Sequence, residues 1–162
     1  MNKLNYIFLD IDGVLNNKKH YSKQHRKYGG RFICENMPFN PRSILNLRKI
    51  IDKTKAKVVI SSSWRRTKNG MVVLEARLIE YGIKIHSSTP FINGSRGKEI
   101  RQWCKENTQK GDKILIIDDE MYDLKEYFDS DEIVKINYNY GLTLRKRIEA
   151  ILKLNRGVVN VE

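Results

Sequence analysis

The chain has 162 residues, 40% hydrophobic and 31% charged, which suits one domain with a single core and excludes a disordered segment. No apolar run approaches the roughly 18 residues a membrane span needs, and Met1-Asn2-Lys3-Leu4-Asn5 leads to aspartates rather than a secretory signal, so a cytoplasmic location is expected. The formal charge of +12, from 31 basic and 19 acidic side chains, attracts phosphate-rich partners or else marks a basic surface that is simply solvated.

In chain order, Tyr6-Ile7-Phe8-Leu9 is a continuous apolar run that stops at Asp10, the first residue of Asp10-Ile11-Asp12-Gly13-Val14-Leu15. From Asn16 to Cys34 there is no clear periodicity. Lys18, Lys19, Lys23, Arg26, Lys27 and Arg31 stand there without an acid, with Tyr21, Tyr28 and Phe32 interleaved and a flexible bend expected at Gly29-Gly30. Asn40-Pro41, a helix cap followed by proline, opens a helix with Ile44, Leu47 and Ile51 on one face. Val58-Val59-Ile60 is a second apolar run and stops at Ser61-Ser62-Ser63. Met71, Leu74, Leu78 and Tyr81 recur at helical spacing until Gly82 supplies the stop.

Ile83-Lys84-Ile85 is a weaker strand candidate. After the turn Gly94-Ser95-Arg96-Gly97, Ile100, Trp103 and Cys104 form the apolar side of another helix. Ile114-Leu115-Ile116-Ile117 is the third strong run and ends on Asp118-Asp119; Ile133-Val134-Lys135-Ile136 is weaker. Thr143 suits the cap of a last helix carrying Leu144, Ile148, Ile151 and Leu152. Cys34 and Cys104 have no CxxC or Cys/His spacing, which predicts two reduced thiols and no structural zinc.

Continuous apolar runs suit strands covered on both faces, and their alternation with helices predicts an α/β domain with a mainly parallel sheet flanked by helices. One domain over residues 1–162 is expected. Residues 16–39 then form a small basic insertion after the first strand, above the carboxyl end of the sheet, where ligands bind in open α/β folds.

In a parallel sheet the three strong runs release their polar ends at one edge: Asp10 and Asp12, Ser61 to Ser63, Asp118 and Asp119. Carboxylates gathered there repel one another, and a hard cation relieves the conflict. Magnesium takes one or two carboxylates, waters and a substrate phosphate. Asp10, a backbone carbonyl near Asp12, and Asp119 beside Asp118 make a reasonable set, with Asp123 one turn on to hold metal-bound water.

Phe8-Leu9-Asp10-Ile11-Asp12-Gly13-Val14-Leu15 resembles the first motif of the haloacid dehalogenase (HAD) superfamily in its phosphotransferase form. Ser61 after Val58-Val59-Ile60 resembles the second motif, and Ile114 to Asp123 the fourth. The ordered set covers Tyr6 to about Asp123. The resemblance implies a Rossmann-like HAD fold without a large cap, since neither gap between motifs has room for one. It implies Asp10 as the nucleophile of an aspartyl-phosphate and Asp12 as general acid and base. Ser61, with the neighbouring Ser62, would hold the phosphoryl group beside Mg2+. For the basic residue of the third motif, Arg96-Gly97-Lys98-Glu99-Ile100 offers two candidates. Lys98, the standard residue type, is favoured, leaving Arg96 on the substrate side, although Arg96 followed by glycine fits the family's Lys-Gly pattern.

Ser61-Ser62-Ser63-Trp64-Arg65 and Arg96-Gly97-Lys98-Glu99-Ile100, with Trp103 beyond, resemble the small HAD domains associated with RNA repair. More distantly, they resemble the 3'-phosphatase domains of polynucleotide kinases. Arg65 is then expected to touch a substrate phosphate or ribose, or else to pair with an acid, and Trp64 to be a core or lid residue. The basic segment suits a phosphodiester backbone and unstacked bases, or is a solvated loop whose His20 and His25 are ordinary. The expected activity is a phosphomonoesterase working on nucleotides or on DNA or RNA ends. A small-metabolite phosphatase and a non-catalytic nucleic-acid-binding module are the alternatives.

Overall fold

A computed structural model describes residues 3–29 and 38–156. Five strands, β1 (Asn5–Leu9), β2 (Lys57–Ile60), β3 (Ile85–Ser88), β4 (Lys113–Asp118) and β5 (Ile133–Lys135), form one sheet in the order β3-β2-β1-β4-β5. All four pairings are parallel. This is an α/β fold with a Rossmann-like core, as the alternating pattern predicts.

Successive side chains of a strand point to opposite faces, and the two faces carry separate apolar clusters. Ile7, Leu9, Val58, Ile60, Leu115 and Ile117 meet α2 (Pro41–Thr54), α3 (Lys68–Ile79) and α6 (Leu144–Asn155). Tyr6, Phe8, Val59 and Ile116 meet Ile100 and Trp103 of α4 (Arg96–Asn107) and Leu124 of the short α5 (Leu124–Tyr127). Burial on both faces is why these strands read as unbroken apolar runs. Trp103 packs edge-on against Tyr6 and Phe8 and donates its indole N–H to Ser87 Oγ at 3.0 Å.

The third strand lies two residues later than expected. Ile83 is buried in the core ahead of it, its amide donating to Leu78 O at the end of α3. On α6 the core is reached by Ala150 and Leu154, with Ile151 packed against it as expected, whereas Leu144, Ile148 and Leu152 are exposed.

The basic segment also differs from expectation. Where no periodicity was legible, an eleven-residue helix α1 (Lys18–Tyr28) stands. Asn17 caps it by accepting from His20 N at 3.0 Å, and Gly29 closes it at φ 65°. It buries no residue, so it carries no apolar stripe for a pattern to detect. Arg31, Phe32 and Cys34 lie outside the described residues. Cys104 is a free thiol that burial pushes up to about 11. No helix among the described residues is long and apolar enough to cross a membrane.

Candidate active site

The register of the sheet builds the site. Leu9 pairs with Ile60 on one side and Ile117 on the other, so Asp10, Ser61 and Asp118 leave the sheet together at its carboxyl edge. The ladder continues one bond further, Asp10 N donating to Ile117 O at 3.0 Å and Ser61 N to Leu9 O at 3.1 Å. Strand order reverses at β1, the position at which open α/β sheets bind ligands.

Asp10, Asp118 and Asp119 each offer an oxygen within 4.8 Å of the other two. Asp10 and Asp118 are buried and Asp119 is half-buried. Gly13, at φ 80°, lets the Asp119 carboxylate pack against the turn, since a Cβ there would collide with it. One guanidinium nitrogen of Arg96 donates to Asp118 Oδ2 at 2.8 Å and to Asp10 Oδ1 at 3.2 Å. The remaining Asp118 oxygen accepts from Glu120 N at 2.9 Å.

Three carboxylates against one guanidinium leave two negative charges uncompensated, and their titration reflects it. Burial raises Asp10 above the ordinary carboxylate range, against the pull of Arg96 and a hydrogen bond from Ser62. Asp118 is pushed up to about 8 by burial and by the charge of Asp10, and Asp119 to about 6 by the same two causes. This donor set, all oxygen and short of positive charge by two units, fits a divalent hard cation. The cluster could therefore hold a metal ion.

The geometry places Arg96, and not the favoured Lys98, against the carboxylates. α4 begins at Arg96 rather than after Gly97, and Arg96, Glu99, Ile100 and Trp103 share its buried face. Lys98 points to solvent. Gly97 is required because a Cβ would strike Tyr127, and its amide donates to Asp123 Oδ1 at 2.8 Å. Asp123 also accepts from Ser95 Oγ. Burial raises this carboxyl, but the hydrogen bonds from Ser95 and from the Gly97 amide outweigh it and hold Asp123 below the usual range. Asp123 thus braces the start of α4 and is not one of the three clustered carboxylates.

The Arg65 side chain is 4% exposed and every arm is engaged: Nε with Thr89 O, one terminal nitrogen with Ser61 O and Ser62 O, the other with Pro90 O and Glu99 Oε2. Glu99, 2% exposed, takes Ile92 N on its other oxygen at 3.0 Å. Arg65 therefore holds the loop after β2 to α4 and has no arm left for a substrate. The alternative expectation, pairing with a surface acid, holds as to the pairing, but the acid is buried.

Asp12 lies outside the buried cluster, exposed and lining the same cavity. Its two oxygens accept from Asn16 Nδ2 at 2.9 Å and Trp64 Nε1 at 3.0 Å. Trp64 sits edge-on to Phe39, 5.6 Å between centroids, which fixes its indole. Ser62 Oγ meets Asp10 and accepts from Trp64 N, while the buried Ser61 hydroxyl has no partner among the described residues.

A cavity of about 610 Å3 opens here, bounded by Asp10, Asp12, Arg66, Arg96, Asp119 and Tyr138 among others. Arg66 stacks on Phe91 at 4.3 Å, and Arg96 lies 5.1 Å from the ring centre of Tyr122. Sequence reasoning missed Arg66, Tyr122 and Tyr138. It also missed Trp64 as the group that orients Asp12, and Glu99. Only Glu99 carried a signal, lying on the helical face shared with Ile100 and Trp103.

The family model for the HAD domain in Swiss Army Knife RNA repair proteins matches residues 6–146. No curated protein and no solved structure matches the chain.

Proposed function

The chain belongs to the family of HAD domains found in Swiss Army Knife RNA repair proteins, and from that premise we propose that it is a magnesium-dependent phosphomonoesterase acting on nucleic-acid ends. The observation that carries the reading is the pairing of two carboxylates of opposite surroundings. Asp10 is buried beside Arg96 and Asp119, while Asp12 stands exposed in the same cavity, oriented by Trp64.

In this mechanism a free Asp10 oxygen attacks phosphorus, and the bond to the leaving oxygen breaks as that oxygen takes a proton from Asp12. The Asp12 carboxylate then takes a proton from water. The hydroxide so formed attacks the aspartyl-phosphate, the Asp10–phosphorus bond breaks, and inorganic phosphate leaves. Arg96 offsets charge on the transferred group and holds Asp10 in place. Ser61, whose buried hydroxyl has no partner among the described residues, is available to donate to a phosphoryl oxygen. Asp10, Asp118 and Asp119 would hold the magnesium ion, which when bound supplies positive charge beside the transferred phosphoryl group.

The test is phosphate release from 3'-phosphorylated oligonucleotides, mononucleotides and sugar phosphates, with and without magnesium. Magnesium-dependent turnover with the oligonucleotide preferred is expected, and Asp10→Asn should abolish it. Full activity of that variant overturns the nucleophile. Preference for sugar phosphates favours a small-metabolite phosphatase, and salt-sensitive oligonucleotide binding without turnover favours a non-catalytic module.

A further inference from the structure

α1 and the loop at Asn139 and Tyr140 enclose a second cavity of about 620 Å3. Its walls carry five cations, Lys18, Lys19, Lys23, Arg26 and Lys27, and no carboxylate. None of the five makes an ion pair with a described residue. Lys19 and Lys23, and Lys23 and Lys27, are like charges one helical turn apart, which repel and weaken an isolated helix. A helix that buries nothing and repels itself is suited to an anionic ligand that covers it.

The loop joins this groove to the catalytic cavity. Tyr138 lines the catalytic cavity, while the next two residues, Asn139 and Tyr140, line the basic one. Tyr138 O and Asn139 O accept from the first two amides of α1 at 3.0 and 3.3 Å, and Leu142 N donates to Val14 O, close after Asp12. The loop is therefore a wall common to both spaces. Tyr138 is 53% and Tyr140 50% exposed, and Lys19 lies 4.3 Å from the Tyr140 ring centre.

We propose that the groove between α1 and Tyr138–Tyr140 is the track for the phosphodiester backbone of a single-stranded polynucleotide whose phosphorylated end enters the Asp10 cavity. The cations meet successive phosphates and the tyrosine rings stack unpaired bases, the combination that binds single strands without reading sequence. A membrane surface is not favoured, because α1, KKHYSKQHRKY, has no aliphatic residue to insert. The proposal rests on the phosphatase reading and extends it from the reacting phosphate to the strand behind it.

The experiment measures binding of 3'-phosphorylated single strands to the full chain carrying Asp10→Asn, alone and combined with Lys19→Glu, Lys23→Glu and Arg26→Glu. Arg101→Glu with Lys105→Glu and Lys110→Glu, exposed residues on α4 and just after it, is the charge-matched control, and circular dichroism checks that each variant folds. Reversal on α1 should weaken binding at least about tenfold more than the control and shallow the salt dependence by about 0.7 logarithmic unit per lost phosphate contact. With Asp10 intact, kcat/KM should fall far more for long strands than for an aryl phosphate. Equal losses in both variants, or a duplex bound as well as a single strand, overturn the track. Absence of turnover on every phosphoester overturns the phosphatase reading instead, and leaves the binding arm to decide the groove. Parallel RNA and DNA strands show which sugar the track accepts.

Discussion

The floor of the cavity and its rim are built on opposite principles. On the floor, Asp10, Asp118 and Arg96 are desolvated, braced from strand ends and a helix start, and net negative. On the rim, α1 has no fully buried residue, is net positive, and is attached through its first turn to the Tyr138–Asn139 backbone. Burial amplifies charge, so few residues suffice for chemistry. Exposure screens charge, so the rim needs many cations and gains encounter rate and selection more than bond-making. Asp12 stands between them, solvated like the rim but oriented by Asn16 and Trp64 like the floor.

The largest break should come at that boundary. Asp12→Asn is expected to lower kcat by about 10²–10⁴-fold on alkyl phosphates, and far less on an aryl phosphate, whose leaving group departs without a proton. An equal loss on both substrates would remove Asp12 from acid catalysis. Next, Arg96→Ala should cost about 10²–10³-fold in kcat, whereas the exposed Lys98→Ala should change it by less than about twofold. A loss that follows Lys98 instead would show that α4 presents another face to the substrate.

Beneath the floor, Glu99→Gln leaves Arg65 charged without its buried partner. Urea unfolding should show a loss of roughly 3–5 kcal/mol, and an unchanged midpoint would mean that the pair carries no weight. Trp64→Phe keeps the ring and removes the N–H to Asp12. A fall in kcat of less than about 10²-fold, with KM nearly unchanged and the pH profile displaced, is expected for a positioning role. A loss confined to stability would make it purely structural.

The smallest effect is in pH. Asp118 and Asp119 bind protons more tightly in the folded chain than in the unfolded one, where a carboxyl titrates near about 3.9. Their contribution is therefore present below that value and is lost as pH rises through about 6 for Asp119 and about 8 for Asp118. Thermal melting without metal should show stability draining over that window, with magnesium restoring more at pH 8 than at pH 5. A midpoint independent of both would argue against crowded carboxylates.

Legibility in the sequence follows burial. Strand-end positions of Asp10, Ser61 and Asp118 could be read because strands covered on both faces are apolar throughout, and the polarity changes abruptly where the sheet ends. α1 could not be read, because a helix held by its caps and by two backbone bonds leaves no apolar period. The exchange of Arg96 and Lys98 is instructive. Placing Arg96 three and seven residues before Glu99 and Trp103 puts it on the buried face, a helical argument available from spacing alone once the helix start is set at Arg96 rather than after Gly97.

By itself the sequence determined the α/β class, the central strands and the carboxylates at their ends, since these rest on local polarity and period. It carried the family motifs in order as well. Only the tertiary structure decided which cation reaches Asp10, that Arg65 is consumed by Glu99 and four carbonyls, that Asp123 braces α4, and that Trp64 holds Asp12. Each depends on a distance between residues remote in the chain, and a long charged side chain goes to whichever desolvated partner the packing places within reach.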